Sequence, residues 1–215
     1  MKRTVRVVPA ILTDDPVELT RLVSLANRFA PFVQVDIMDG VFVPTRSVTA
    51  ADLRAQHIRF DWEAHLMVSD PLAYLEPFQK VGASRVVFHV ESTSDPNVVI
   101  AEARALGLGV GLAVNPPTPV ADFAALLPSV DSLLLMTVHP GYYGAPFVPE
   151  VMSKVEQVRA ACADIEIGVD GGIKEGNVVE VARQGVDTVC VGSAVFSTSE
   201  PEASYVRLVT LAQAA

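Results

Sequence analysis

Three side chains able to hold a divalent cation, Asp36, His65 and Asp170, lie far apart in the sequence, each within a short apolar segment. An ionised carboxylate buried in such a segment is costly unless a partner compensates its charge. Carboxylate and imidazole groups bind divalent metal ions, and imidazole favours zinc, iron or manganese over magnesium. A shared metal site and three separately satisfied polar groups both remain open at this point, because spacing alone does not show that remote residues converge.

The segments that carry these residues belong to a series of eight short runs rich in apolar and β-branched residues. The runs predict strands at residues 5–11, 33–39, 61–68, 84–91, 109–115, 132–138, 166–172 and 187–196. Most of them are nearly continuous in apolar residues, which is typical of parallel strands buried on both faces.

Helix-like segments separate the strands. They predict helices at residues 15–30, 70–82, 95–109, 147–163, 174–185 and 200–215. Three of these segments open on Asp-Pro, which suits an N-cap followed by a first turn. Weaker helical patterns occupy residues 48–56 and 119–127.

Eight strands, each followed by a candidate helix, predict a (β/α)8 TIM barrel that spans residues 1–215 as a single domain. An open doubly wound sheet is the alternative topology. Closure is favoured because eight strands fit into about the minimum length for this barrel. Polar residues also gather at the carboxyl ends of many different strands, which is the face where such barrels carry their functional groups.

The composition argues against several functional classes. The 215 residues carry a net charge of −9 with no basic stretch, so a nucleic-acid partner is not expected. No apolar run approaches the roughly 18–20 residues of a membrane span. The N-terminus is interpreted as a first strand rather than a signal peptide, which makes a cytoplasmic location the expectation. Cys162 and Cys190 are predicted to be reduced, packed thiols.

Three glycine-containing loops follow the last three predicted strands. They contain Gly141 and Gly144, then Gly171 and Gly172, then Gly192 and Ser193. Each loop alone is most simply a tight turn, but loops after strands 7 and 8 of such barrels often bind phosphate. Glycine backbone can approach a phosphate closely because no Cβ intervenes. Together the loops predict a phosphorylated ligand.

Several motifs resemble the ribulose-phosphate 3-epimerase family, in that family's order and at about its spacing. They are VVPAIL, VDIMDGVFVP, HLMVSDP, VNPPTPV, MTVHPG and VDGGI followed by VGSAVF. The resemblance covers essentially the whole chain. It implies a barrel of the ribulose-phosphate-binding type that epimerises a ketose phosphate at C3.

The resemblance also implies roles for individual residues. Asp36 and Asp170 would be the acid–base pair, and both would share a divalent metal ion with His65. The metal would be Mn²⁺, Zn²⁺, Co²⁺ or Mg²⁺. Pocket-lining positions are implied as well, at Ala10, Met38, Met67 and Met136.

The sequence departs from the family pattern at several positions. Gln34 stands where the family usually has a metal-binding histidine, and Ala10 replaces a serine near the substrate. Tyr143 and Ala145 replace a glycine and a glutamine. Gln34 is predicted to ligate the metal weakly through its amide oxygen. The alternative is that Gln34 only hydrogen-bonds a neighbour and that no metal binds.

Other polar residues are assigned supporting roles. His89 and Glu91 are predicted to line or support the site, and Asp39 to hydrogen-bond the following loop or support the site. His139 is predicted to lie on the surface of a loop, and Asn115 to cap a helix or loop.

The sequence thus predicts an isomerase, a ketose-phosphate 3-epimerase acting on D-ribulose 5-phosphate and D-xylulose 5-phosphate. A hexulose or tetrulose phosphate is the alternative substrate, and a non-catalytic sugar-phosphate-binding homologue is the alternative class. A synthase or decarboxylase is disfavoured because the segment DIMDG lacks the lysine that those related barrels carry there. A homo-oligomer is compatible with the apolar composition.

Overall fold

The computed structural model describes residues 4–140 and 146–215. Eight parallel strands close into a barrel in chain order. The strands are β1 Arg6–Ile11, β2 Phe32–Met38, β3 Asp61–Met67, β4 Arg85–His89, β5 Gly109–Val114, β6 Ser132–Met136, β7 Glu166–Asp170 and β8 Thr188–Val191. Because β1 also pairs with β8, the predicted closed barrel is confirmed and the open doubly wound sheet is wrong.

The strand register brings inward-facing side chains of neighbouring strands together. Asp36 of β2 lies opposite His65 of β3, and Asp170 of β7 lies opposite Cys190 of β8. Side chains alternate between the two faces of a strand, so residues two apart share the barrel interior. The register therefore places the candidate metal ligands at the same end of the barrel.

Helices surround the barrel. They are α1 Pro16–Phe29, α2 Ala50–Arg54, α3 Leu72–Lys80, α4 Pro96–Ala105, α5 Ser153–Ala161, α6 Val178–Arg183, α7 Ser193–Phe196 and α8 Pro201–Gln213. As predicted, Asp15 caps α1, where its side chain accepts a hydrogen bond from the Val17 N–H at 2.9 Å. Asp15 thereby satisfies one of the free amides of the first turn.

Several segments differ from the expected elements. Pro149–Met152 form a 3-10 turn before α5, and Val90–Ser92 form one after β4. Residues 119–127 form parts of two 3-10 turns, Val120–Asp122 and Ala124–Ser129, rather than an α-helix. Pro128 lies inside the second turn, and proline lacks the N–H that a continuing α-helix needs. The last strand ends at Val191, earlier than expected, because the chain turns at Gly192 into the short helix α7.

The buried apolar residues form two main layers. The larger fills the space between the strands and the helices and includes Trp62, Phe78 and Phe88. A smaller cluster lies inside the barrel and contains Val8, Val87, Ala113, Leu134, Met136, Val138 and Cys190. This inner cluster packs beneath the side chains at the carboxyl ends of the strands.

In the part of the chain that the structure describes, no helix is both long and apolar enough to cross a membrane. The longest described helix, α1, has 14 residues.

Candidate active site

A cavity of about 130 Å³ opens at the carboxyl ends of the strands. Ten of the predicted site residues line it: Ala10, Asp36, Met38, Met67, Met136, Asp170, Gly171, Gly172, Gly192 and Ser193. Gln34 and His65 are fully buried next to the two aspartates. The predicted contributions of Gly141 and Gly144, and the substitutions at Tyr143 and Ala145, lie outside the described residues.

Asp36, His65 and Asp170 converge although they are remote in sequence. One ligand atom from each lies within 4.8 Å of the others, and all three residues are buried. His65 Nδ1 is 3.0 Å from Asp36 Oδ1 and 3.6 Å from Asp170 Oδ2. Two carboxylate oxygens and one imidazole nitrogen are a donor set suited to a divalent cation. These three residues therefore fit a metal ion.

Gln34 has an orientation different from the one expected of a metal ligand. Its Nε2 donates hydrogen bonds to Asp36 Oδ1 at 2.8 Å and to Asp170 Oδ2 at 2.7 Å. Its Oε1 accepts from the Cys190 Sγ–H at 3.2 Å. Burial raises the pKa of Cys190 well above its usual range, so the thiol keeps its proton. The amide would have to rotate before its oxygen could face a cation, so the prediction of Gln34 as a ligand does not match this arrangement.

Burial also shifts the pKa values of titratable groups in this cluster. It raises the pKa of Asp170 to about 6, and the nearby charge of Asp36 adds to this shift. Burial by itself lowers the pKa of His65, but the hydrogen bond with Asp36 and the negative charges around the ring give a net upward shift. Asp170 is thus a stronger base than an ordinary aspartate.

The glycine backbone on the opposite side of the cavity has conformations that other residues avoid. Gly171 and Gly172 have φ values of +114° and +69°. A Cβ on Gly171 would lie 2.4 Å from Val138, and a Cβ on Gly172 would lie 3.0 Å from Phe147. Glycine is therefore required at both positions, and their backbone stays open to the cavity.

The methionines form an apolar wall. Met38 and Met67 pack with Val43, and Met136 belongs to the cluster inside the barrel. The Thr45 hydroxyl donates a hydrogen bond to Met38 Sδ at 3.0 Å. An apolar wall next to two carboxylates keeps the local dielectric low, which strengthens their electrostatic interactions.

A sequence model of the ribulose-phosphate 3 epimerase family matches residues 6–196. The chain belongs to the ribulose-phosphate 3-epimerase family. The predicted family is thereby confirmed.

Curated epimerases resemble the chain along almost its whole length. It is 37% identical to the ribulose-phosphate 3-epimerase of Mycobacterium tuberculosis, over 97% of this chain and 93% of that relative. It is 35% identical to the ribulose-phosphate 3-epimerase of Synechocystis sp., over 92% of this chain and 90% of that relative. These relatives are isomerases, which confirms the predicted enzyme class.

Solved structures share the barrel at low sequence identity. Orotidine 5'-phosphate decarboxylase from Pyrococcus horikoshii has a TM-score of 0.69 at 13% identity, with 96% of this chain and 98% of that chain covered. The 3-hexulose-6-phosphate synthase from Salmonella typhimurium has a TM-score of 0.67 at 15% identity, with the same coverage. At such identities the likeness supports the TIM-barrel fold alone.

The residues that line the cavity without having been predicted from the sequence include Cys190 and Lys174. Cys190 lies two residues before Gly192 in a predicted strand. Because side chains alternate along a strand, this spacing indicates that Cys190 and Gly192 face the same side. Lys174 follows the glycine pair Gly171 and Gly172, and a cation beside a loop that is predicted to bind phosphate was the signal there.

Most of the supporting residues fall where they were expected. Asn115, predicted to cap a helix or loop, is an exception, because its side-chain Oδ1 is buried without a hydrogen-bond partner among the described residues. Asp39 accepts hydrogen bonds from the N–H groups of Val41 and Phe42, in the loop that follows β2. His139 is exposed. His89 Nε2 lies 3.0 Å from His65 Nε2, and His89 Nδ1 lies 3.3 Å from Glu91 Oε2.

Proposed function

We propose that the protein is a ketose-phosphate 3-epimerase whose substrate pair is D-ribulose 5-phosphate and D-xylulose 5-phosphate. The observation that carries the proposal is the pair formed by Asp36 and Asp170. Both line the cavity, and their nearest oxygens lie within 4.8 Å of each other. The names of the curated relatives, ribulose-phosphate 3-epimerases, supply the choice of substrate.

Inversion of configuration at a carbon next to a ketone needs two proton-transferring groups, and two carboxylates can supply them. One carboxylate removes the C3 proton, and the other delivers a proton to the opposite face, because a single group reaches only one face. The pKa of about 6 at Asp170 makes that group a better base than an ordinary aspartate. In the reverse reaction the two aspartates exchange roles.

Asp36, His65 and Asp170 would hold the divalent cation, which would be Mn²⁺, Zn²⁺, Co²⁺ or Mg²⁺. When bound, the cation would stabilise the negative charge that develops on the C2 oxygen during proton removal. Gln34 donates to both carboxylates in the arrangement described, and we propose that it orients them rather than completing the ligand set.

The rest of the cavity divides into an apolar wall and a phosphate end. Met38, Met67 and Met136 would exclude water beneath the reacting carbon. The backbone at Gly171, Gly172, Gly192 and Ser193 would bind the phosphate, since glycine leaves amide groups accessible.

Exchange of the C3 proton with deuterated solvent, followed by NMR, tests the proposal. Wild-type protein supplied with Mn²⁺, Zn²⁺, Co²⁺ or Mg²⁺ should exchange the C3 proton of D-ribulose 5-phosphate and form D-xylulose 5-phosphate. Asp36→Asn and Asp170→Asn should each lower kcat by about 10²–10⁴-fold. The matched control is Asp164→Asn, at an exposed aspartate, and should keep wild-type activity. Absence of exchange with every ketose phosphate and metal would refute the proposal.

A hexulose or tetrulose phosphate is the second candidate substrate. Ala10 lines the cavity where the family pattern has a serine, so one hydroxyl near the sugar is missing. Faster exchange with one of these sugar phosphates would assign that substrate instead. Binding without exchange, unchanged in both aspartate variants, would identify a non-catalytic sugar-phosphate-binding protein.

A further inference from the structure

Lys174 places a positively charged side chain in the wall of the cavity. Among the described residues that line the cavity, Lys174 is the one with a cationic side chain. Ile173, the residue before it, also lines the cavity and is only 4% exposed, whereas Lys174 itself is exposed. The chain is therefore anchored at Ile173, and the flexible four-carbon stem of Lys174 starts from the rim of the cavity.

The side chain of Asn177 holds the backbone of Lys174 in place. Asn177 Oδ1 accepts a hydrogen bond from the Lys174 N–H at 2.8 Å, and Asn177 Nδ2 donates to the Gly172 carbonyl oxygen at 3.1 Å. Asn177 thereby ties Lys174 to the glycine pair at the proposed phosphate end. Because Asn177 already accepts from the Lys174 N–H, the ammonium group is the donor that Lys174 has left for a ligand.

The acidic residue next to Lys174 does not neutralise it. Glu175 pairs with Arg207, whose Nε donates to Glu175 Oε1 at 2.9 Å. Within residues 4–140 and 146–215, no carboxylate forms an ion pair with Lys174. A cation that borders a cavity without a counter-ion from the protein is suited to an anionic ligand.

The other described lysines both have partners in the protein. Lys80 pairs with Glu76 at 2.6 Å, and Lys154 Nζ donates to three backbone carbonyl oxygens. Lys174 differs from both, because its ammonium group has no partner among the described residues and borders the cavity.

A phosphate group needs a cation of this kind in this protein. A phosphate monoester carries about −1.5 to −2 charges near pH 7. The chain has a net charge of −9, which repels an approaching anion. Backbone N–H groups at the glycine loops supply only partial charges, whereas an ammonium group supplies a full charge and three donors.

We infer that Lys174 is a specificity-determining residue whose ammonium group binds the phosphate of the substrate and so favours phosphorylated ketoses over neutral ones. The identity of the ketose phosphate rests on the proposed function, whereas the binding of a phosphate anion at Lys174 does not. Because the lysine is exposed, salt in the solvent screens this interaction.

Steady-state kinetics of the full-length enzyme with D-ribulose 5-phosphate test this role. At low ionic strength, Lys174→Met should raise KM about 5–10-fold, because one charged hydrogen bond is lost, and should change kcat less than about twofold. Lys174→Arg keeps the charge and should stay within about threefold of the wild-type KM. Lys80→Met removes the same charge from α3, away from the cavity, and should leave KM unchanged.

Ionic strength and a neutral sugar separate a charge contact from a change in cavity shape. The KM values of wild type and Lys174→Met should converge between about 0.01 M and about 1 M salt. Inhibition by D-ribulose, which has no phosphate, should be the same in both proteins. Equal KM values at low salt, a difference that high salt does not reduce, or an equal loss of D-ribulose binding would overturn the inference.

Equilibrium dialysis of the full-length protein with radiolabelled inorganic phosphate needs no turnover. At low ionic strength, Lys174→Met should bind phosphate about 5–10-fold more weakly than the wild type, and Lys80→Met should bind it equally well. Unchanged affinity in Lys174→Met, or no binding by the wild type, would overturn the inference even in an active epimerase. Weaker phosphate binding by Lys174→Met in a protein that exchanges no ketose phosphate would refute the proposed function and leave the inference standing.

Discussion

Gln34 links the two carboxylates of the site through one amide group. Its Nε2 hydrogen-bonds Asp36 and Asp170, while Cys190 holds its Oε1. A cation would need the same carboxylate oxygens, so the amide and the metal compete. At the scale of single residues, this competition distinguishes an orienting glutamine from a ligating one.

Gln34→Leu should therefore bind Zn²⁺ at least as tightly as the wild type. Gln34→His should bind it at least about tenfold more tightly, because an imidazole adds a nitrogen ligand. Calorimetric titration of chelator-treated protein with Zn²⁺ measures both effects. Weaker binding by Gln34→Leu would contradict the competition between the amide and the cation.

Ionisation of the Asp170 carboxyl group should lower the stability of the folded protein. Burial and the charge of Asp36 raise its pKa from 3.8 to about 6 in the folded protein, so ionising it costs folding free energy. This cost is absent below about pH 4 and complete above about pH 6. Asp170→Asn should therefore stabilise the metal-free protein at pH 8, by on the order of 1–3 kcal/mol, with the gain fading toward pH 4.

Urea unfolding of chelator-treated protein between pH 4 and pH 8 measures this gain. Asp164→Asn, at an exposed site, should change stability little at any pH. A gain in stability from Asp170→Asn that is as large at pH 4 as at pH 8 would contradict the raised pKa of Asp170.

At the scale of elements, Asp39 connects the loops that follow β2 and β3. Its Oδ1 accepts from the N–H groups of Val41 and Phe42, and its Oδ2 accepts from the N–H and hydroxyl of Ser69 at 2.7 Å. Phe42 in turn packs on the ring of His89, with centroids 4.9 Å apart. The loop after β2, at the mouth of the site, is therefore held both by the hydrogen bonds of Asp39 and by the packing of Phe42 on His89.

Asp39→Asn should destabilise the protein by about 1–2 kcal/mol, because an NH₂ group replaces one acceptor oxygen and faces at least one backbone N–H that can only donate. The mouth of the site would loosen, so KM should rise more than kcat falls. Ser69→Ala removes one of the four hydrogen bonds and should cost less. Urea unfolding and steady-state kinetics measure these changes, and equal effects of the two variants would contradict the role of Asp39.

At the scale of the whole molecule, ion pairs join strands near their amino-terminal ends, and one of these pairs, Arg85–Glu63, is buried. Arg85 of β4 contacts Glu63 of β3 at 2.6 Å and Glu166 of β7 at 3.1 Å. Arg6 of β1 also contacts Glu166, at 2.7 Å. The Glu63 side chain is only 4% exposed, so it depends on Arg85 for compensation.

Arg85→Met should destabilise the barrel by about 3–5 kcal/mol, because it leaves Glu63 buried and unpaired. Adding Glu63→Leu should restore most of the loss, since no buried charge then lacks a partner. The free energy of unfolding in urea decides between these outcomes. A cost below about 1 kcal/mol for Arg85→Met alone would show that the ion pair does not stabilise the barrel.

The amino-acid sequence by itself determined the barrel and indicated the candidate site residues that the structure brings together. Strands buried on both faces give continuous apolar runs, and polar residues within such runs are conspicuous. Asp36, His65 and Asp170 could be found for that reason. The boundary of β8 and the 3-10 turns after β5 were missed because glycine and proline end elements locally, where periodicity carries little information.

Only the tertiary structure decided how the site residues face one another. The hydrogen bond from Cys190 to Gln34 joins residues 156 positions apart, and the contact between His65 and His89 joins residues on neighbouring strands. These pairs depend on barrel closure and strand register, which a pattern of residue types does not encode. Closure is therefore what turns the Gln34 amide nitrogen, rather than its oxygen, toward the two aspartates.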